Sequence, residues 1–459
     1  MTKKVLGDHQ TYALEMMDAN DCLANFYAPG CGKTAIAISW INKAYKEGRI
    51  FSALVVCPAS LVGNWKRSIE TADEFEGISA SDVENLKRII HVTSFQKVYK
   101  TERKEIKHRD GQRTYKRTIS LRPEVDRHWG VIFVDESHCI GAHNSVQTRA
   151  CLTLAKLADH RYIMTGTPVA GGKGKEDFSK LYGQLKFLDP DIWFSWTDFC
   201  NRYVTAFDRW FKPISYDIKA CRDLMQEYGI VARLEDCRDM PDKIDTMVPC
   251  ELLEKKVYND IKKGNILPYG LDIEASGSQY IKMLQICSGS MKRNDNPLKK
   301  EGKNILMLKT SKDEALKDIV GGTDDKVVVF CNYTASVDRV ADICRSLGRK
   351  VVTYDGRSKG DTWMEFQYGD ADAIVCQYQK GGPGLDLFAS HTMILYEPCL
   401  SALLLEQSRA RIWRTGQQSR CTYTYLYTPN TIEEKVLNTV RQGVDVTNKM
   451  LEDWAHGEL

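Results

Sequence analysis

No two of the fifteen cysteines are spaced C-x-x-C, and no cysteine–histidine cluster has zinc-ligand spacing. A zinc-ribbon or zinc-finger scaffold is therefore excluded. An odd count without framework spacing also argues against a disulfide-stapled secreted domain and for a reducing compartment. Several cysteines fall inside apolar runs, as in Val55-Val56-Cys57-Pro58 and Val329-Phe330-Cys331, where a free thiol behaves as a small hydrophobe. No run approaches 18 apolar residues, so no membrane span is expected. Residues Met1–Asp8 lack the apolar core of a signal peptide. The expectation is a soluble, cytoplasmic protein without membrane contact. Charge of one sign is scarce too: 64 Lys and Arg against 61 Asp and Glu leave a net +3. Bulk charge thus does not announce a polyanionic partner, and distribution must be read instead.

What is present is a long chain of ordinary globular composition. Its 459 residues, 43% hydrophobic and 27% charged, predict two to four domains. Short, β-rich apolar runs recur at Cys22–Tyr27, Ala53–Cys57, Arg88–Val92, Val131–Val134 and Tyr162–Met164. After a gap they return at Lys326–Cys331, Lys350–Tyr354, Ala373–Cys376, Met393–Tyr396 and Tyr423–Tyr427. Near-continuous apolar runs mark strands buried on both faces, as in parallel sheets covered by helices. Helical stretches such as Thr34–Lys46 and Ala335–Leu347 lie between them. The pattern predicts an α/β fold: two doubly wound parallel-sheet lobes in tandem with a helical insertion. Lobe one is placed at 1–205, the insertion at 206–300, lobe two at 301–437 and a helical tail at 438–459.

The run Cys22–Tyr27 leads into Ala28-Pro29-Gly30-Cys31-Gly32-Lys33-Thr34 and then a helix. This is the strand–loop–helix context of a phosphate-binding P-loop, although Tyr27 stands where the first glycine of the full pattern belongs. Gly30, Cys31 and Gly32 would bring backbone N–H groups to the phosphates at a helix N-terminus. Lys33 would reach the β- and γ-phosphates of ATP, and the Thr34 hydroxyl would ligate Mg²⁺. A second motif, Val131-Ile132-Phe133-Val134-Asp135-Glu136-Ser137-His138, ends a buried strand in acid. Asp135 would hold Mg²⁺ and Glu136 would activate the attacking water. Either carboxylate alone is as well explained by a solvated strand end; paired with the P-loop they are not. Thr165-Gly166-Thr167-Pro168 closes another strand and suits a turn that senses the γ-phosphate, with His138 as a further coupling residue.

In the second half, Gln407, Arg411 and Arg414 follow i, i+4, i+7 spacing. That places them on one face of a helix, with Gly416 at its C-terminus. Such a face can supply arginine fingers to a γ-phosphate; the plain alternative is a basic surface helix. Gly381-Gly382-Pro383-Gly384-Leu385-Asp386 reads as a glycine-rich turn whose amides meet DNA phosphates, with Asp386 coupled to the nucleotide.

On these residues the chain resembles the Swi/Snf-type ATPases of helicase superfamily two. Gln10, in Leu6-Gly7-Asp8-His9-Gln10, looks like that family's adenine-reading Q motif. Val55–Leu61 with Asn64-Trp65, then Thr93-Ser94-Phe95, are similar to its next lobe-one motifs. Arg233–Asp236, Met240–Lys243 and Gln285-Ile286-Cys287 look like its connector. Arg411–Gln417 with Thr431-Ile432-Glu433-Glu434-Lys435 matches its closing signature. Ser137 stands where the family usually has Ala, and Asp386 where it has Asn. The resemblance is to a compact single motor, of bacterial or phage type. It implies ATP and Mg²⁺ as ligands and a DNA-dependent ATPase that translocates on duplex DNA without reading sequence. It also implies a monomer, with targeting by another protein, and DNA contacts at Thr93, Ser94, Gly381 and Gly382.

Eleven Lys and Arg against five Asp and Glu lie between Lys97 and Arg127. Asp110-Gly111 at the middle of Lys104–Arg117 signals a hairpin turn, so a basic β-hairpin carrying Lys107, Arg109 and Arg113 is expected beside the DNA. A solvated loop is the plain alternative. Three rival functions stay open: a strand-separating or annealing helicase, an RNA-directed motor, and a non-motor P-loop switch. The last would have no use for second-lobe arginines.

Overall fold

The computed structural model describes residues 3–107, 113–169, 176–233, 237, 240–263, 279–292, 305–358, 360–381, 385–414, 416–446 and 450; at 103–107, 113–117 and 292 it describes the backbone alone. The chain forms two compact units. The first lies within Met1–Ala170 and Glu176–Asp239, the second within Met240–Leu459.

The first unit is built on β1 (Cys22–Asn25), β2 (Ala53–Cys57), β3 (Ile90–Ser94), β6 (Trp129–Asp135), β7 (Ala158–Met164) and β10 (Gly229–Ile230). They form one sheet in the order β10-β1-β7-β6-β2-β3, with every neighbouring pair parallel. Every residue of β2 and β6 is buried, which is why these strands read as unbroken apolar runs. Leu54, Val56, Ile132, Val134 and Ile163 carry one face into a core closed by Trp129, Leu154, Leu185 and Trp193.

Two hairpins stand apart from that sheet. β4 (Tyr99–Lys107) and β5 (Arg113–Leu121) pair antiparallel from Tyr99↔Leu121 to Lys107↔Arg113. The expected basic hairpin is thus longer at its base than the composition suggested, while Arg109 lies outside the described residues. Its base is anchored by Leu121, with Tyr99 and Ile119 packed on the core. The other hairpin joins β8 (Val204–Phe207) to β9 (Pro213–Tyr216).

The second unit repeats the plan with β11 (Lys243–Pro249), β14 (Val327–Cys331), β15 (Val351–Tyr354), β16 (Ala373–Gln377), β17 (Thr392–Leu395) and β18 (Cys421–Tyr427). Their order is β11-β18-β17-β14-β16-β15, again parallel throughout. A two-stranded ribbon, β12 (Ser290–Lys292) with β13 (Ile305–Met307), flanks it. Each unit is therefore a parallel, helix-covered α/β sheet, and the tandem fold class expected from the alternation is the observed one.

The segment 206–300 differs from a helical insertion. Its first part completes unit one, where β10 adds to β1 as an edge strand; its second part opens unit two, where β11 pairs along seven residues of β18. The charged stretch after Lys292 lies outside the described residues. All fifteen cysteines are free and twelve are buried, so they serve as small core residues.

One polar feature of the second core follows from the closing signature. Glu433, 1% exposed, accepts a 2.5 Å bond from the Lys312 ammonium, itself fully buried. Lys312 also donates to the Tyr396 carbonyl at 3.0 Å, and the second Glu433 oxygen accepts from the Thr428 amide at 2.8 Å. Both charges are thereby satisfied. Removing one partner strands the other in a dry core, which typically costs about 3–5 kcal/mol. Glu433→Ala is expected to destabilise unit two by that amount, read from the midpoint of a urea titration; an unchanged midpoint would mean that Lys312 finds another partner.

Candidate nucleotide site

The site arises from the C-terminal edge of the first sheet. In a parallel sheet all strands deliver their following loops to one edge, where ligands bind. Register places Asn25 opposite Met164, and Met164 opposite Asp135. The P-loop, the Thr165-Gly166-Thr167 turn and the Asp135-Glu136 pair therefore leave three adjacent strands at one level. Ser94 ends β3 beside Cys57, farther along the same edge.

After β1 the loop needs two left-handed residues, Gly30 (φ 91°) and Gly32 (φ 77°), which glycine adopts without steric cost. Gly32 then caps the helix Lys33–Lys46. A side chain at Gly32 would also collide with Gln10, since an added Cβ would lie 2.2 Å from its Nε2. Gln10 is buried, its Oε1 accepting from the Gly7 amide at 2.9 Å and its Nε2 donating to the Cys31 carbonyl at 3.4 Å. It braces the loop from behind. Tyr27, in place of the first glycine, is buried and donates its hydroxyl to the His9 carbonyl at 2.9 Å, so that side chain ties the loop to the first helix. The Lys33 ammonium reaches back to the Tyr27 carbonyl at 2.7 Å and the Ala28 carbonyl at 3.2 Å. Thr34 follows in the first turn of the helix.

Asp135 is buried and its carboxyl is pushed up to about 6, first by burial and then by neighbouring Glu136; the Trp65 indole and Lys33 oppose the shift. Trp65 Nε1 donates to Oδ2 at 2.9 Å, and the Glu136 amide donates to Oδ1 at 2.9 Å. Glu136 itself sits at φ 50°, a left-handed conformation costing about 1–3 kcal/mol that redirects its side chain at the strand end. Its Oε2 accepts from Thr165 Oγ1 at 3.3 Å and lies 3.3 Å from His138 Nδ1; His138 and Thr165 are 3.0 Å apart. Burial alone would lower the His138 pKa, but Cys139 and Glu136 hold the imidazolium and lift it to about 10. At neutral pH a cation therefore faces the Glu136 carboxylate.

The third turn packs tightly on the first. A Cβ at Gly166 would lie 2.6 Å from Pro29 Cδ, and the Thr165 amide donates to the Asn25 carbonyl at 3.1 Å. Among the described groups, the Thr167 hydroxyl is a buried donor without a protein partner. Gln184 links the second and third motifs. It accepts from the Ser137 hydroxyl at 2.8 Å and donates to the Pro168 carbonyl at 2.8 Å. In the sequence Trp65 reads only as part of a lobe-one motif, with no role at the carboxylates, and Gln184 does not read as a site residue at all. Gln184 and Lys186 are the two polar side chains besides the Tyr182 hydroxyl in the stretch Leu181–Leu188, too weak a signal to single out Gln184.

In the second unit the expectation of one helix face is corrected. The helix ends at Arg409, and Arg411 and Arg414 lie in the turns beyond it. Arg411 is buried, its Nε donating to the Gln407 carbonyl at 2.7 Å and its Nη1 to the Leu385 carbonyl at 3.2 Å. Arg414 donates to the same Leu385 carbonyl at 3.0 Å and is ion-paired with Asp386. These bonds to the Leu385–Asp386 segment draw the chain out of helical register. Gln407, Arg411, Arg414 and Asp386 are still brought together, by tertiary bonds and not by periodicity. Gly416 (φ 105°) is likewise no helix C-terminus; it lies at a turn with a Cβ position 3.1 Å from the Phe388 ring.

Gly381 is corrected too. It ends the short helix Tyr378–Gly381 and is buried, where a Cβ would meet that of Cys376 at 2.8 Å, so Gly381 itself serves close packing. Gly382 lies outside the described residues. Thr93 and Ser94 are each about 5% exposed.

A lysine-headed helix after a glycine loop, with a carboxylate pair on a strand end two places along the same sheet edge, defines a P-loop nucleotide hydrolase. Two family models match the chain: the SNF2-related domain over residues 12–297 and the helicase conserved C-terminal domain over residues 311–416. The chain belongs to the SNF2-related family, and the two matched domains imply ATP hydrolysis. It is similar to the transcription regulatory protein SNF2 of Saccharomyces cerevisiae, at 24% identity across 97% of this chain and 28% of that protein. It is also similar to the DNA repair protein rhp54 of Schizosaccharomyces pombe, at 24% identity across 89% of this chain and 53% of that protein. The chain thus spans about half or less of these relatives. Among solved structures, a Sulfolobus solfataricus SWI2/SNF2 ATPase core in complex with dsDNA aligns with 95% of this chain and 90% of that chain, at 20% identity and a TM-score of 0.41. No described helix is long and apolar enough to cross a membrane.

Proposed function

We propose that the chain is a DNA-dependent ATPase that translocates on duplex DNA and remodels DNA or protein–DNA complexes. The observation that carries the reading is the row of strand ends that gathers Lys33, Asp135, Glu136 and Thr165 on one edge of unit one. ATP phosphates lie on the Gly30–Gly32 loop, with Lys33 moving from its backbone carbonyls to the β- and γ-oxygens. Thr34 and Asp135 hold Mg²⁺, which neutralises phosphate charge when bound. Thr34 lies in the first turn of the P-loop helix and Asp135 ends β6 on the same sheet edge, oxygen donors of the kind a cation shared with substrate phosphates takes. Glu136 orients and deprotonates the attacking water, while His138 and Thr165 fix its carboxylate. Arg414 leaves Asp386 to stabilise the γ-phosphoryl group, and buried Arg411 braces the turn that carries it. Gln10, which braces the loop, reads the adenine, and Thr167 and the Gln184 bridge couple the second and third motifs.

DNA is gripped through its phosphates, at the loop following Ser94 and along the β4–β5 hairpin. Contacts of that kind set register without reading bases, so binding is strongly salt-dependent and insensitive to sequence. The chain works as a monomer, targeted by another protein. The names of the relatives, in transcription regulation and DNA repair, support DNA as the polymer.

The test is the ATPase rate against duplex DNA, single-stranded DNA and RNA. Duplex is expected to raise turnover most; stimulation by RNA alone would redirect the assignment. Deleting Lys104–Arg117 is expected to weaken duplex binding and flatten its dependence on salt, by about 0.9 in log–log slope for each phosphate that is no longer neutralised. Unchanged affinity and slope would remove the hairpin from the interface. A hairpin set apart from the main sheet also suits strand separation. A forked-duplex unwinding assay beside triplex displacement distinguishes that activity from translocation alone.

A further inference from the structure

The β8–β9 hairpin of unit one presents two large aromatic side chains to solvent at its tip. Trp210 is 75% exposed and Phe211 86% exposed. Neither belongs to the nucleotide site or to the basic hairpin. The tip is nevertheless a built structure. Asp208 Oδ1 accepts from the Trp210 amide at 2.8 Å and the Lys212 amide at 2.9 Å. The Asp208 amide donates to the Lys212 carbonyl at 2.9 Å, and the Phe211 amide to the Asp208 carbonyl at 3.0 Å. Phe211 is held at φ 57°, a left-handed conformation that bulky residues rarely adopt. At the other end the hairpin is fixed. Val204 and Tyr216 pack on the unit-one core, and the Tyr216 hydroxyl donates to Asp177 Oδ1 at 2.8 Å.

Burial within the chain covers neither ring, so both faces are open to a ligand. Two cations flank the rings, Arg209 and Lys212, both exposed; Arg209 lies 5.2 Å from the Trp210 ring centroid. The single carboxylate of the tip, Asp208, is occupied by backbone amides. Phe207 and Ile214 are also exposed, farther down the hairpin, but the two rings at the tip alone fall short of a stable protein interface, which needs on the order of 1,200 Å² or more. Aromatic faces beside cations instead match unpaired nucleotides, each offering a flat base to a ring and a phosphate to a cation.

We propose that the Trp210–Phe211 tip is a stacking site for unpaired bases of DNA, with Arg209 and Lys212 taking the adjacent phosphates. This rests on the reading of the chain as a DNA motor and adds a second, strand-specific contact to it. Duplex with paired, stacked bases has no face to give these rings. A fork, gap or flap does.

The test compares the wild-type chain with W210A/F211A and with the conservative pair Trp210→Phe and Phe211→Tyr. Affinities are measured by fluorescence anisotropy for a single strand of about 16 nucleotides, an abasic strand of equal length, a forked duplex and a blunt duplex. Base stacking is worth about 1–3 kcal/mol per base, so W210A/F211A is expected to lose about tenfold or more on the single strand and the fork. It should match wild type on the abasic strand and the blunt duplex, and the conservative pair should restore binding. Equal loss on the abasic strand, or no loss on the normal one, overturns the proposal. So does a wild-type dimer in sedimentation that W210A/F211A abolishes, which would assign the tip to self-association. Should wild type bind no DNA at all, the motor reading itself fails. If duplex still stimulates ATPase while single-strand affinity ignores the two substitutions, only the stacking site falls.

Discussion

Glu136→Gln is expected to bind ATP as wild type does and to lose turnover by about 10²–10⁴-fold, the usual worth of a positioned base. Glu136 is the carboxylate at the strand end that is turned by a left-handed backbone and held by Thr165 and the His138 cation. The amide keeps the Thr165 bond but cannot take a proton. Single-turnover hydrolysis beside equilibrium binding of labelled ATP separates the two steps. Turnover near wild type would shift the role of base to another group. Loss of binding as well would show that Glu136 helps to hold nucleotide or cation, as Asp135 is proposed to do.

Arg414→Ala carries the other large expectation, a loss of about 10³–10⁵ in rate with ATP affinity little changed. Arg414 is the more accessible of the two arginines, with its side chain 25% exposed, whereas Arg411 is buried under two backbone carbonyls. Arg414 is ion-paired with Asp386, and in the proposed mechanism a phosphoryl group takes the place of that carboxylate. Arg411→Ala should therefore lower stability along with rate, while Arg414→Ala should leave the unfolding transition in place. A normal rate in Arg414→Ala would remove the second unit from the chemistry.

Much of the fold was legible because its strands are buried on both faces. Val55-Val56-Cys57 and Val327–Cys331 announce themselves as apolar runs, and their strands lie where those runs fall. The two edge strands were not legible. Gly229–Ile230 is only two residues long, and Lys243–Pro249 is largely exposed, so neither leaves a periodic apolar signal. Hence the segment between the sheets read as one insertion, although its halves join different sheets. The P-loop and acid motif were legible since each is local and tied to a strand end. The arginine segment misled because nothing near Ala410 breaks a helix. Its course is set by the Leu385 carbonyl, more than 20 residues away in sequence. Trp65 and Gln184 act on Asp135 and Ser137 across 70 and 47 residues, distances at which no spacing rule operates.

The central claim is that one nucleotide, held on the Lys33 loop, is completed by Arg414 of the other unit. Single-molecule energy transfer between dyes at exposed Glu70 and Asp370 tests this directly, with ADP–beryllium fluoride and duplex DNA present or absent. A nucleotide-dependent population at shorter separation is expected in wild type and should vanish in Arg414→Ala. Distance distributions that ignore the nucleotide, in both proteins alike, would contradict the account.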